Sequence, residues 1–168
     1  MNKLEVFFDY ACPFCLRGHE YLAELHQLFP QIEIEWHPCE AHPRPEVHSP
    51  YSDLCIQGMF FAQDHGVDIW AYHDRMYKAA LKDRADIGDI NVLADIVKDL
   101  LNTDDFCKSL QSGEYAKVQL DANQYAFEKS GVWAVPSYRM NGKKLDSVEN
   151  VGVTKEQLAT FMDTAKQA

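Results

Sequence analysis

Hydrophobic and polar positions change period several times along this chain, and each change marks an element. Leu4 to Phe8 is a short, mostly apolar run closed by Asp9, which predicts a buried β-strand. Pro13 to Phe29 reads as a helix, with Leu22, Leu25 and Phe29 at i, i+3 and i+7, and Pro30 ends it. Ile32, Ile34 and Trp36 then alternate with Glu33, Glu35 and His37, the period of a half-buried strand. Residues 39–50, broken by Pro43, Pro45 and Pro50, are expected to form a surface loop. From 51 to 112 the signals are helical. Val92, Leu93, Ile96, Val97, Leu100 and Leu101 make one apolar stripe behind Asp89, a suitable N-cap, and Phe106 and Leu110 mark another short helix. A further helix is predicted from Glu114 to about Lys129. Asn141-Gly142 between two short runs predicts a two-residue hairpin. Thr154-x-x-Gln157 is a capping box, followed by the core face of a closing helix at Leu158, Phe161, Met162 and Ala165.

Strand, helix, strand, helical block, helix, hairpin and helix add up to an α/β fold: a small sheet with an all-helical insertion after its second strand. The expected division places residues 1–48 and 114–168 in the sheet domain and 49–113 in the insertion. The chain has 168 residues, 46% of them hydrophobic, enough to fill a sizeable core. Sixteen basic residues against 26 acidic ones give a net charge of −10. That balance argues against nucleic acid, whose phosphates demand cations, and against an anionic membrane surface. No apolar run has the length of a membrane span, and Met1-Asn2-Lys3-Leu4-Glu5 has no leader pattern, so the expected location is cytoplasmic.

Cysteine usage sharpens the picture. The five are Cys12, Cys15, Cys39, Cys55 and Cys107, an odd count that does not suit a disulfide framework. Only Cys12 and Cys15 are close, as a C-x-x-C. Such a pair is either redox-active or half of a metal site, and a structural zinc site would want a second short-spaced pair, which is missing here. Cys12 falls where the first strand gives way to the first helix, with Pro13 at the first helical position. Free N–H groups there, those of Phe14 and Cys15, and the positive end of the helix favour a thiolate at Cys12. Cys15 sits about one turn in, facing inward and within disulfide reach. The predicted chemistry is thiol–disulfide exchange: Cys12 attacks a substrate sulfur and Cys15 resolves the mixed disulfide. Pro13-Phe14 supplies no histidine between the cysteines, so a weaker thiolate shift is expected than a histidine there would give. Val135-Pro136 precedes a hairpin strand. The residues leave cis and trans both open; a cis bond would free the Val135 N–H and C=O to pair with an extended substrate segment.

Asp9-Tyr10-Ala11-Cys12-Pro13-Phe14-Cys15-x-x-Gly18, together with Gly131-Val132 through Val135-Pro136, resembles the DsbA-like thioredoxin-fold oxidoreductases, most of all their cytosolic FrnE-type branch. The likeness spans nearly the whole chain and includes Ala62-Gln63-Asp64-His65-Gly66, His73 to Ala79 and Asp86-Ile87-Gly88-Asp89 of the helical block. It implies a thioredoxin-like fold with an inserted helical domain, Cys12 as nucleophile, Cys15 as resolving thiol and Pro136 in cis. It further implies protein or small-molecule disulfides and thiols as substrates, a redox partner that recycles the enzyme, and no bound cofactor. The substrate groove is expected to be formed by Tyr10, Pro13, Phe14, Val135 and Pro136. Two departures stand out. Periplasmic members carry His between the cysteines, where Phe14 stands here. They also carry a buried acid six residues before the nucleophile, where this chain has Val6, with Glu5 on the opposite strand face. Strong oxidase power is therefore not expected, and proton transfer at Cys15 needs water or another group.

Other readings stay open. Relatives of this fold include glutathione-dependent transferases and isomerases of the kappa and hydroxychromene-carboxylate type, which use Ser where Cys12 stands. His37, Cys39, His42 and His48 could ligate zinc or copper, but their spacing matches no motif, and no metal site is assigned. Cys39 with Cys55 is a possible second pair. Cys55 and Cys107 are otherwise read as small buried hydrophobes, and Trp36, Trp70 and Trp133 as packing, with the groove rim an alternative for Trp133.

Overall fold

The computed structural model describes residues 2–47 and 50–167. Strand β1 (Asn2–Phe8) leads through a tight turn into helix α1 (Pro13–His26), and β2 (Ile32–Pro38) returns parallel to β1. Helices α2 (Asp53–Asp64), α3 (Ile69–Tyr77), α4 (Ile90–Ile96) and α5 (Thr103–Ser112) follow. Then come α6 (Ala116–Gln124), the hairpin β3 (Ser137–Met140) and β4 (Lys143–Asp146), and α7 (Lys155–Asp163). The sheet order is β2-β1-β3-β4, with β3 antiparallel to β1 and Val6 opposite both Trp36 and Tyr138. This is the expected α/β architecture.

Alternation along β1 builds two cores. Leu4, Val6 and Phe8 face one way, into a large cluster that runs without a break from α1 and α7 to Ile56, Met59, Tyr72 and Phe106 of the helical block. Phe7 faces the other way, with Cys39, Ala126 and Val132. The helical block thus shares its core with the sheet.

Local signals closed where they were read. Asn141 and Gly142 both have positive φ (52° and 76°), the backbone of a tight hairpin turn that this residue pair tolerates. Thr154 and Gln157 form the reciprocal capping box, and Asp89 accepts from the N–H groups of Asn91 and Val92. Three elements differ from expectation. Helix α1 ends at His26, three residues early. The stripe from Val92 to Leu101 is no single helix: α4 stops at Ile96, whose carbonyl accepts from Arg75 Nη1 (3.1 Å) while the same guanidinium holds Asp99. An outside cation caps that carbonyl, and Asn102 can then start α5 by accepting from Asp105 N. The helix predicted over 114–129 is α6 plus a π-type turn at Tyr125–Lys129, which stacks Tyr125 on Phe7 and His37. Among the described residues no helix is long and apolar enough to cross a membrane.

Candidate active site

Cys12 is the N-cap of α1: its backbone is extended, and its sulfur accepts from the N–H of Cys15 at 3.3 Å. Pro13 takes the first helical position, where no N–H is needed. The Cys12 carbonyl accepts from the N–H groups of Cys15 and Leu16. On its other side the sulfur lies 3.7 Å from the carbonyl of Val135, and the Val135-Pro136 bond is cis, as the resemblance implied. Gly18 permits this closeness. A Cβ there would stand 2.7 Å from the Tyr138 hydroxyl and 3.4 Å from Pro136 Cγ, so only glycine lets α1 lie against β3.

All five cysteines are free thiols. Cys12 is partly exposed; Cys15 is buried behind it. The Cys12 pKa is lowered, first by the hydrogen bond from the Cys15 thiol and also by the N–H groups of Cys15 and Phe14, against the opposing effect of burial. Burial pushes the Cys15 thiol well up, and bonding to Cys12 pushes it further. The two sulfurs are thus tuned apart. The N–H donors were legible in the sequence; the leading cause, a thiol-to-thiol bond, was not, because it depends on how Cys15 turns inside.

Asp9 is the anchor that motif reading left unassigned. Buried at the end of β1, it accepts from the N–H groups of Ala11 (2.9 Å) and Ala41 (2.8 Å), tying the cysteine turn to the chain after β2. Burial raises its own pKa, and its charge raises the pKa of both cysteines.

Beside Cys12 opens a groove of about 820 Å³, lined by Ala11, Pro13 and Val135 on one side and by Ala80, Leu81 and Arg84 on the other. The helical block therefore supplies a wall that short-range reading did not foresee. The expected groove residues divide. Pro13 and Val135 line it. Pro136 is buried beneath it, against Gly18. Phe14 packs on Gly152 and under Arg17 instead. Tyr10 is a correction: it is 0% exposed, bonded to His73 Nδ1 at 2.8 Å and ringed by Phe8, Tyr72 and Tyr77, so it cannot touch a substrate. Trp133 is 63% exposed and lies outside the groove lining.

Among the described residues the candidate metal ligands do not converge. His37 Nε2 is held by Glu35 (2.7 Å) and Glu5 (3.3 Å) on the sheet; Cys39 is buried on Phe8; His42 bonds Glu46 on the surface; His48 lies outside the described residues. Glu5, Glu35 and His37 do bring donor atoms within 4.8 Å of one another, but Lys3 already pairs with Glu35, and Tyr125 bonds Glu5. Cys39 and Cys55 sit in different apolar clusters. Cys107 is half-buried rather than buried, since it lies beside Phe106 on α5, whose buried face is Phe106, Ser109 and Leu110.

Comparison with known proteins gives concordant relatives. The "Uncharacterized protein YwbO" of Bacillus subtilis (strain 168) is 26% identical, over 80% of this chain and 84% of that protein. Among solved structures, a probable DsbA oxidoreductase of Streptomyces coelicolor superposes with a TM-score of 0.82 at 14% identity, over 99% of this chain and 91% of that one. The cytosolic disulfide reductase DsbM of Pseudomonas aeruginosa superposes at 0.72 and 14% identity, over 98% of both chains. BdbD of Bacillus subtilis superposes at 0.76 and 12% identity, over 99% and 88%. At these identities the structures speak for the fold alone. The model of the DSBA-like thioredoxin domain matches residues 3–159, from β1 into α7, and the chain therefore belongs to that family.

Proposed function

We propose that this protein is a thiol–disulfide oxidoreductase working through Cys12 and Cys15. The observation that carries the reading is the paired sulfurs at the N-terminus of α1: one partly exposed, its thiolate favoured by a neighbouring thiol and two N–H groups, the other buried behind it. Cys12 thiolate attacks one sulfur of a substrate disulfide, forming a mixed disulfide and releasing the first substrate thiolate. Cys15, once deprotonated, attacks Cys12 Sγ. The Cys12–Cys15 disulfide forms, the second substrate thiolate leaves, and two electrons have passed from protein to substrate. The reverse sequence oxidises a dithiol. The groove between Pro13, Val135 and the segment Ala80–Arg84 accommodates a disulfide-bearing peptide or a small thiol. In this reading residues 49–113 are an insertion whose task is to build that second wall.

Reduction of insulin disulfides tests the proposal. Wild type is expected to be active and Cys12→Ser inactive. Full activity in Cys12→Ser, or none in wild type at any thiol supply, overturns it; tight glutathione binding without dithiol cycling favours the transferase class instead.

A further inference from the structure

Cys15 must shed its S–H proton before its sulfur can attack, yet it is only 1% exposed. Val6 is the residue that β1 turns toward this core, and the Asp9 carboxylate at the end of β1, whose charge reaches Cys15, is already taken by the N–H groups of Ala11 and Ala41. Behind it α1, β1, β2, α3 and β3 enclose a cavity of about 10 Å³, roughly the room of one water. Its polar lining is Cys15, His19, His73, Tyr77 and Tyr138. Two buried ring nitrogens here have no protein partner, His19 Nδ1 and His73 Nε2. Unpaired nitrogens in an aromatic interior are costly unless they are used.

His19 follows Cys15 by four residues on α1, so the two share one helix face. Its Nε2 lies 2.7 Å from Asp74 Oδ1. A proton on Nε2 donated to that carboxylate leaves a lone pair on Nδ1. Asp74 is 70% exposed, which opens a way to solvent. His19 and His73 rings meet edge to face, wedged by Trp70, Trp36 and Tyr77, so neither ring is free to turn. The other titratable neighbours stay uncharged at neutral pH: burial lowers His73 and raises Tyr10, Tyr77 and Tyr138. The carboxylates are Asp74, on His19, and Asp9, whose charge reaches Cys15 from the end of β1.

We infer that His19, backed by Asp74, is the base for the resolving thiol, taking the Cys15 proton at Nδ1 through a water shared with His73 Nε2. The inference rests on the thiol–disulfide reading above. In the step, the Cys15 S–H bond breaks, its proton passes by way of the water to His19, and the Cys15 thiolate forms the S–S bond to Cys12 as the substrate thiolate departs. The imidazolium then returns its proton to solvent past Asp74.

A chromogenic aromatic disulfide separates the two events, since Cys12 releases the first coloured thiolate and Cys15 the second. His19→Gln keeps a hydrogen-bonding side chain but takes up no proton. Its first phase is expected to persist and its second to slow roughly a hundredfold, the usual worth of a general base. The pH profile of the second phase must also differ between wild type and His19→Gln, because only the wild type has an imidazole to take the Cys15 proton. Asp74→Asn is expected to slow the second phase alone. A second phase in His19→Gln with the wild-type rate and pH profile overturns the inference. Should His19→Gln not fold, the exposed Asp74→Asn serves instead, and a second phase in it at the wild-type rate overturns the inference equally. Absence of the first phase in wild type counts against the underlying exchange reaction, not the relay.

Discussion

Replacing Cys15 by alanine probes how the Cys12 thiolate is held. The Cys15 thiol donates the hydrogen bond that does most to lower the Cys12 pKa, with the N–H groups of Cys15 and Phe14 adding to it. Alanine deletes the thiol and keeps the backbone donors. A hydrogen bond to a charged group contributes about 1.5–3 kcal/mol, and S–H is a weak donor, so the lower end applies. At about 1.4 kcal/mol per pKa unit, the Cys12 midpoint should rise by roughly one unit. Alkylation of Cys12 at a pH below both midpoints should then slow about tenfold. The assay is the ultraviolet absorbance of the thiolate against pH, read as the difference from a matched Cys12→Ser protein so that Cys39, Cys55 and Cys107 cancel. Cys15→Ser, whose hydroxyl still donates, should give a midpoint below that of alanine. A Cys12 midpoint in Cys15→Ala equal to or below that of wild type would refute the reasoning and leave the helix terminus as the main cause.

Other predictions follow from neighbouring contacts. Asp9→Asn removes a charge that raises the Cys12 pKa, so the same titration should shift downward. It should also cost about 1–3 kcal/mol of stability in urea, because one amide oxygen must serve the two N–H groups of Ala11 and Ala41. Gly18→Ala drives a Cβ into the Tyr138 hydroxyl and should cost about 1–3 kcal/mol. Adding Tyr138→Phe should recover most of that loss, and equal losses in both backgrounds would exclude the clash. Because the folded Cys12 pKa is lowered from its ordinary thiol value, ionisation stabilises the reduced fold. That contribution is complete above the unfolded pKa and is lost as pH falls through the folded one. The stability of reduced wild type relative to Cys12→Ser should therefore grow with pH up to the ordinary thiol pKa; a pH-independent difference would contradict a lowered Cys12 pKa.

What the chain specified on its own was everything that depends on neighbours a few residues apart. The alternation of Ile32, Ile34 and Trp36, the Thr154–Gln157 box, the Asn141-Gly142 turn and the placement of Cys12 before Pro13 all arise from periodicity, capping or φ, which local sequence sets. Even Cys15 and His19 on one helix face follow from a spacing of four. Tertiary structure decided the rest. It stopped α4 by bringing Arg75 to Ile96, sank Tyr10 beneath His73, and set Ala80 to Arg84 across from Cys12. It also carried His73 and Asp74 more than fifty residues along the chain to meet His19. Burial and through-space hydrogen bonds set both the cysteine pKa order and the unpaired imidazole nitrogens. Those forces act between groups that only the packed core makes adjacent.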